Sequence, residues 1–309
     1  MSVKPTIDFG YNPPTGNRLI ETVNPRTFIH DLQNILDLAC QHFSSIWVSD
    51  HHMTADRYRL ECWTQLTWIA ARYPDPLLST IVMSNSYRHP PLLAKMAASL
   101  QEFSRGRFVL GYGAGWAEEE YRAYGYEFPS AKVRIAQMVE GIQVIRALWT
   151  QSPATFDGTY YQVKDAYCEP RPDPIPPILI GGDGERYLLR AVAEHADWWL
   201  PYSRRLDALE HKIDVLRQHC QDIGRDIATI RKTYTFVVYL SHDRAAAERW
   251  AGAALNRENP VFAGDPAGLR DHITALSELG FDLFQLVFPN FPETDDIKLF
   301  VDEVLPAFR

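Results

Sequence analysis

Cysteine is scarce in this chain of 309 residues, and its four copies (Cys40, Cys62, Cys168, Cys220) are scattered with no CxxC spacing. That distribution speaks against a zinc cluster and against a redox dithiol. Positive charge is short as well. With 31 Lys and Arg against 39 Asp and Glu, the formal charge is −8, which argues against a general role on nucleic acid or a membrane surface. Local pairs such as Arg204-Arg205 remain available as anion contacts. No apolar core of signal-peptide length opens the sequence, and no run approaches membrane-spanning length. The expectation is a reduced, cytoplasmic protein without a membrane or nucleic-acid partner. Internal repeats and low-complexity segments are absent too, and so is a GxGxxG fingerprint. The glycine-rich turn at Gly111 to Gly115 reads GxGxG and lacks the acidic residue about twenty positions on, so a Rossmann dinucleotide site is poorly supported.

What the chain does carry is alternation. Short β-rich runs occur at Ile7–Phe9, Ser45–Val48, Leu78–Met83, Phe108–Leu110, Ile178–Ile180, Asp197–Leu200, Tyr234–Leu240 and Leu283–Phe288. Helical stretches lie between them. In Ser130 to Thr150, Met138, Ile142, Ile145 and Trp149 fall on one helical stripe, and Leu93, Met96, Ala97 and Leu100 form another. Eight strands alternating with helices predict an α/β fold, a closed parallel (βα)8 TIM barrel, with an open doubly wound sheet as the second choice. One domain over residues 1–309 is expected, with an insertion at approximately 151–177 after the fourth βα unit. That insertion is rich in proline and has room for a hairpin. Asn256 to Pro266 reads as a polar loop that covers the barrel mouth.

In such a barrel, chemistry sits where strands end at the C-terminal face. The second strand runs into Ser49-Asp50-His51-His52, a carboxylate beside two histidines that suits general acid–base work. The plainer alternative is one solvated histidine and one that caps a helix. A metal site needs ligands from further strand ends, and His89, His195 and His242 do not fall there, so no metal is expected. The strand Phe108–Leu110 enters Gly111, Gly113 and Gly115, where a backbone can approach a flat group closely; a tight strand-to-helix connection is the plainer reading. The acidic run Glu118 to Glu120 is explained by favourable charge in a helix first turn. Ile180-Gly181-Gly182-Asp183-Gly184-Glu185-Arg186 is the better phosphate candidate, because N–H groups at a glycine-lined helix start form an anion site.

The segments SIWVSDHH, SNSYRHPPLLAKMAASL, GRFVLGYGAGWAEEEYRAYGYEFP, the helix around Arg134 to Trp149, and PPILIGGDGERYLLRAVAEHADWW occur in this order. Together they resemble the luciferase-like flavin and deazaflavin oxidoreductases over roughly Phe28 to Leu200. The later piece DPAGLRDHITALSELGFDLFQLVFP is similar but less specific. The resemblance implies a TIM barrel that holds a tricyclic ring at its C-terminal mouth. It puts the cofactor phosphate on Gly181, Gly182, Asp183 and Gly184, and Gly113, Ala114 and Gly115 beside the ring or ribityl chain. It makes His51 the catalytic residue and places a non-proline cis peptide near Thr80-Ile81. Asp50, where the FMN monooxygenases carry glutamate, tilts the cofactor toward the deazaflavin coenzyme F420. The sugar-phosphate dehydrogenases of that branch place a proton-donating glutamate where this chain has Trp116, which leaves the proton donor unassigned. The resemblance thus implies hydride transfer between F420 and a small organic substrate, in a homodimer. The alternatives are an FMN-dependent monooxygenase fed by a partner reductase, a non-catalytic flavin-binding protein, and a metal-dependent hydrolase using Asp50 and His51.

Overall fold

A computed structural model of the chain describes residues 6–16, 23–256 and 260–309. Twelve strands alternate with ten α-helices among these residues. The strands are β1 (Asp8–Tyr11), β2 (Ser45–Val48), β3 (Leu77–Thr80), β4 (Met83–Ser84), β5 (Phe108–Gly113), β6 (Ala154–Asp157), β7 (Gln162–Ala166), β8 (Ile178–Gly181), β9 (Trp198–Leu200), β10 (Arg231–Leu240), β11 (Val261–Gly264) and β12 (Phe281–Val287). Parallel pairing runs β1-β2-β3-β5-β8-β9-β10-β12 and returns to β1, with Gly10 opposite Gln285, so the sheet closes on itself. The expected eight-stranded barrel is therefore present, and each predicted strand lies on one of its staves. No helix among the described residues is long and apolar enough to cross a membrane.

Two apolar layers follow from strand alternation. Inward-facing Trp47, Val109, Leu179, Leu200 and Leu283 plug the barrel, with Ile81, Val82 and Tyr202 above them. Outward-facing residues meet the helices α1 (Phe28–His42), α2 (Cys62–Arg72), α3 (Pro90–Ser104), α4 (Glu118–Ala123) and α5 (Ala131–Thr150) on one side of the ring. The helices α6 (Leu188–His195), α7 (Leu206–Asp222), α8 (Arg244–Ala251), α9 (Pro266–Glu278) and α10 (Asp295–Glu303) continue it. The predicted α5 stripe is buried, at Met138, Ile142, Ile145 and Trp149; on α3 Leu93, Ala97 and Leu100 are buried, while Met96 of the same predicted stripe is only half-buried. At the floor Arg231 bonds both Asp8 (2.6 Å) and Asp282 (2.7 Å), which ties three staves together.

The third stave is interrupted. Ser79 lies opposite Val109, but Met83 lies opposite Tyr112, so four steps along β3–β4 match three along β5. A cis peptide joins Ile81 to Val82, one residue later than the sequence placed it. The displaced backbone needs room, and β5 supplies it. A Cβ on Gly111 would sit 1.9 Å from the Thr80 carbonyl oxygen, and one on Gly113 would sit 2.8 Å from Val82 Cγ2. Gly181 yields to the same valine, at 2.9 Å. These glycines first serve packing of protein on protein, beyond the cofactor approach read from the sequence.

The insertion after the fourth unit does hold a hairpin, β6 antiparallel to β7. Its turn is fixed because Glu140 on α5 accepts N–H bonds from Thr159, Tyr160 and Tyr161. Tyr161 Oη also accepts from Asn85 Nδ2 (2.9 Å), and Asn85 Oδ1 accepts from Tyr112 of β5 (2.6 Å). The expected mouth-covering loop at Asn256 to Pro266 needs correction. Val261–Gly264 form β11, which pairs with Val237–Leu240 along the outer end of β10; residues 257–259 lie outside the described residues. The ten-residue β10 outruns its barrel neighbours, and its free edge recruits the segment.

The two glycine contacts differ in kind, which gives a test. Gly113→Ala should cost about 1–3 kcal/mol of unfolding free energy, as overpacking does, and Val82→Ala in the same chain should recover most of it. Gly111→Ala meets backbone, so Val82→Ala should not rescue it. Urea midpoints of the singles and doubles decide the matter, and equal rescue of both would refute the packing assignment.

Candidate active site

The loop after β2 is held open by α4. Glu120, only 6% exposed, accepts from His51 Nδ1 (2.6 Å), from the His52 backbone N–H (2.9 Å) and from Tyr87 Oη (3.0 Å). Burial alone would raise this carboxyl's pKa. The bonds from His51, His52 and Tyr87, with the attraction of His51, outweigh burial and hold it below the ordinary carboxylate range. Tyr87 is pushed upward by burial and by Glu120, so it stays a proton-bearing donor. A carboxylate on Nδ1 fixes the ring orientation of His51 and leaves Nε2 as the working nitrogen. His51 keeps about a quarter of its side chain exposed, as an acid–base group at a mouth requires.

His52, next in sequence, does something else. It stacks on Tyr87 (centroids 4.1 Å) and leans on Tyr124 and Tyr126. Burial pushes its pKa below the ordinary histidine value, with the Asp50 charge opposing. It is a packed, neutral ring, neither the solvated histidine nor the helix cap expected from the sequence.

Asp50 does not present a free carboxylate. It is buried, accepts from Arg88 Nη1 (2.9 Å) and Nη2 (3.1 Å), and takes the Ser84 N–H (3.0 Å). Arg88 also bonds Glu61, which in turn caps α2 through the N–H groups of Trp63 and Thr64. Burial would lower the Arg88 pKa, but Asp50 raises it further, so the cation is secure. Asp50 thus locks the end of β4 to the end of β2. Its bonds go to the frame beneath the ring position assigned to it. Thr80 is likewise buried, and its hydroxyl donates to the Gly111 carbonyl (2.8 Å). Among the described residues, no group of three or more His, Cys, Asp or Glu side chains is arranged to hold a metal ion.

The remaining expected residues do come together. Val82 lies against both Gly113 and Gly181, so β4, β5 and β8 end in one surface bare of large side chains there. Ile81 stands on the same plug. Ala114 and Gly115 follow at the rim, with Gly115 at φ +75°, a region that favours glycine. A Cβ there would strike Tyr121 Oη, which shares a hydrogen bond with Ser84 Oγ (2.6 Å). On the β8 side, the Gly182 N–H is spent on the Leu200 carbonyl. Among the described residues, the N–H groups of Asp183, Gly184, Glu185 and Arg186 have no protein acceptor, and they lead into α6. The anion cradle is therefore shifted one residue past the Gly181-Gly182 pair. The Arg186 guanidinium and the Lys132 amine both lie over the Tyr187 ring, at 5.0 and 5.9 Å, and add positive charge beside it. The Asp183 carboxylate is turned away, toward the Ser203 hydroxyl. An apolar shelf with open N–H groups at one end and the Glu120-bound His51 at the other has the chemistry to suit a tricyclic ring with a phosphate chain.

Sequence reasoning passed over Glu120, taking the acidic run as helix-end charge. Glu118 and Glu119 behave so, and Glu118 pairs with Arg122. No local signal sets Glu120 apart from its two neighbours, because its partner His51 lies far back in the sequence, at the end of another strand. The Trp116 ring meets His51 edge-on, 5.6 Å between centroids at 82°.

The family model described as luciferase-like monooxygenase matches residues 29–281. A protein of Nakamurella multipartita named F420-dependent glucose-6-phosphate dehydrogenase is 30% identical, over 99% of this chain and 97% of its own. One of the same name from Kineococcus radiotolerans is 28% identical over 73% of this chain and 69% of its own. Among solved structures, an F420-dependent secondary alcohol dehydrogenase with an F420-acetone adduct superposes with a TM-score of 0.82 at 22% identity. That match covers 98% of this chain and 99% of that one. A monooxygenase from Streptomyces bottropensis also gives 0.82, at 20% identity, over 98% and 100%. At these identities the structural matches speak to the barrel fold.

Neutral His52 leaves the folded chain with fewer protons than the unfolded one through the histidine range, and charged Glu120 does the same only lower, through the carboxylate range. Groups whose pKa is depressed by folding give stability that is lost as pH falls. Unfolding free energy should therefore drop as pH is lowered from about 7.5 to about 5, across the ordinary histidine range near 6.5. The half-buried His195 and His272, also shifted down, add to the effect. His52→Phe keeps the stack on Tyr87 and should flatten part of that slope. An unchanged slope would contradict the neutral, packed role of His52.

Proposed function

The chain belongs to the luciferase-like monooxygenase family, and from that premise we propose that it is an F420-dependent oxidoreductase acting on a small organic substrate. The observation that carries the reading is the Glu120-braced His51 at the end of the shelf formed by Ile81, Val82, Gly113 and Gly181. The near full-length relative named as F420-dependent supports the choice of deazaflavin over FMN. When bound, the deazaflavin supplies a two-electron hydride donor or acceptor, and the protein has to manage position and protons.

The residues divide that work. The N–H groups of Asp183 to Arg186, aided by Arg186 and Lys132, hold the phosphate. Ile81, Val82, Gly113, Ala114 and Gly115 seat the ring, while Asp50 with Arg88 keeps Ser84 and the end of β4 in place beneath it. His51 Nε2 takes the proton from a substrate hydroxyl, or returns it to a carbonyl, as the hydride moves. Glu120 carries no proton in that step; it orients His51 through Nδ1. Trp116 brings no proton, so His51 is assigned the acid–base role alone.

We expect the protein to work as a homodimer. Leu92 and Phe103, on the same outward face of α3 and 56% and 74% exposed, support that expectation. Recycling of the coenzyme would fall to a second, F420-linked oxidoreductase.

Fluorescence titration should show F420 binding far more tightly than FMN. With a turned-over substrate in hand, His51→Asn should lower kcat about 100-fold or more, the usual reach of a general acid–base group. F420 affinity should change little. Preference for FMN with substrate-coupled oxygen uptake would replace this reading by a monooxygenase. Tight binding without turnover of any substrate would replace it by a carrier.

A further inference from the structure

Trp116 is 75% exposed, with no hydrogen bond from its indole N–H among the described residues. It stands on the rim directly above the histidine to which the chemistry is assigned, touching its ring edge-on. Gly115 before it and Ala117, the N-cap of α4, anchor both ends of its backbone, and Glu120 one turn on is fixed to His51. The indole is therefore held in place by its neighbours while its own surface is left bare. Large bare aromatic surface on a fixed stalk is a binding feature when it borders a reaction site.

The charges nearby point the same way. Among the described residues, the guanidinium groups of Arg59, Arg88 and Arg134 reach the His51 loop or the glycine turn beside Trp116, and each is bonded to the protein. Arg59 bonds the His51 carbonyl, Thr54 and Ser49; Arg88 bonds Asp50 and Glu61; Arg134 bonds the carbonyls of Gly115 and Pro129. These three are committed to protein acceptors rather than to a phosphate or carboxylate on the substrate. Arg186 and Lys132 sit by Tyr187, beside the N–H groups that lead into α6.

We infer that Trp116 is a specificity-determining platform, and that the substrate class is uncharged alcohols or ketones whose carbinol or carbonyl carbon bears an aromatic or similarly flat apolar ring. The ring lies on the indole and the oxygen points down to His51 Nε2. This deepens the preceding reading and rests on it. The electrons and proton move as described there, one hydride and one proton per alcohol–ketone pair.

The test uses the F420-loaded protein and equilibrium binding of acetophenone, acetone and glucose 6-phosphate by calorimetry. Acetophenone should bind tightest, and Trp116→Ala should weaken it by about three- to tenfold, the share of one aromatic pair. Trp116→Phe should restore most of that loss, and acetone binding should be unmoved by either change. Acetophenone affinity insensitive to Trp116, or tighter binding of glucose 6-phosphate, overturns the inference. The two layers fail separately. A Trp116-dependent acetophenone site in a protein whose His51→Asn form still turns over refutes the role of His51 and leaves the platform standing. A Trp116-independent site with an inactive His51→Asn form does the reverse.

Discussion

One buried carboxylate organises the mouth of this barrel. Glu120 draws in the His51 ring, the backbone of His52 and the hydroxyl of Tyr87, so that the loop after β2, the short turn after β4 and the helix α4 meet on two oxygens. A carboxylate withdrawn from water is costly unless its lone pairs are filled, and here one backbone and two side-chain groups fill them. Three pieces of chain distant in sequence are obliged to converge, because each donates to the same charge. The orientation of His51, the packing of His52 and the height of Trp116 above them all descend from that convergence.

A second carboxylate performs the parallel task one layer down. Asp50 is spent on Arg88 and the Ser84 N–H, and Arg88 passes the constraint to Glu61 and so to the start of α2. Adjacent residues in Asp50-His51-His52 thus have three different fates: a buried brace on Arg88, a ring held at the mouth by Glu120, and a ring packed on Tyr87.

The barrel was legible in the sequence because its signals are local. Alternating strands, the stripe on α5 and the proline-rich insertion each declare themselves within a few residues. The placement of His51 and the turn at Gly181 at the same end of the barrel was legible for the same reason, since strand ends in a barrel share one face. What escaped was relational. Glu120 looks like any helix-end glutamate until the partner some seventy residues earlier is known. Asp50 looks like a ligand until Arg88 is seen against it, and the N–H cradle moved by one residue because Leu200 claims the Gly182 N–H. The glycines of β5 were read as room for a cofactor, yet their nearest occupants are Thr80 and Val82. The segment at Val261–Gly264 carried no strand signal of its own; the unpaired end of β10 made it one.

The insertion hairpin has a mechanical meaning. Tyr161 at its turn is bonded through Asn85 to Tyr112, a residue of the very strand that ends in the mouth glycines, and Glu140 grips the three amides of the turn. A segment stitched to a barrel stave in this way cannot swing as a flap while the stave stays still. Its amides should exchange with solvent as slowly as those of β5, as one cooperative unit. The added piece behaves as a buttress, and whatever breathing admits a substrate takes place elsewhere on the rim.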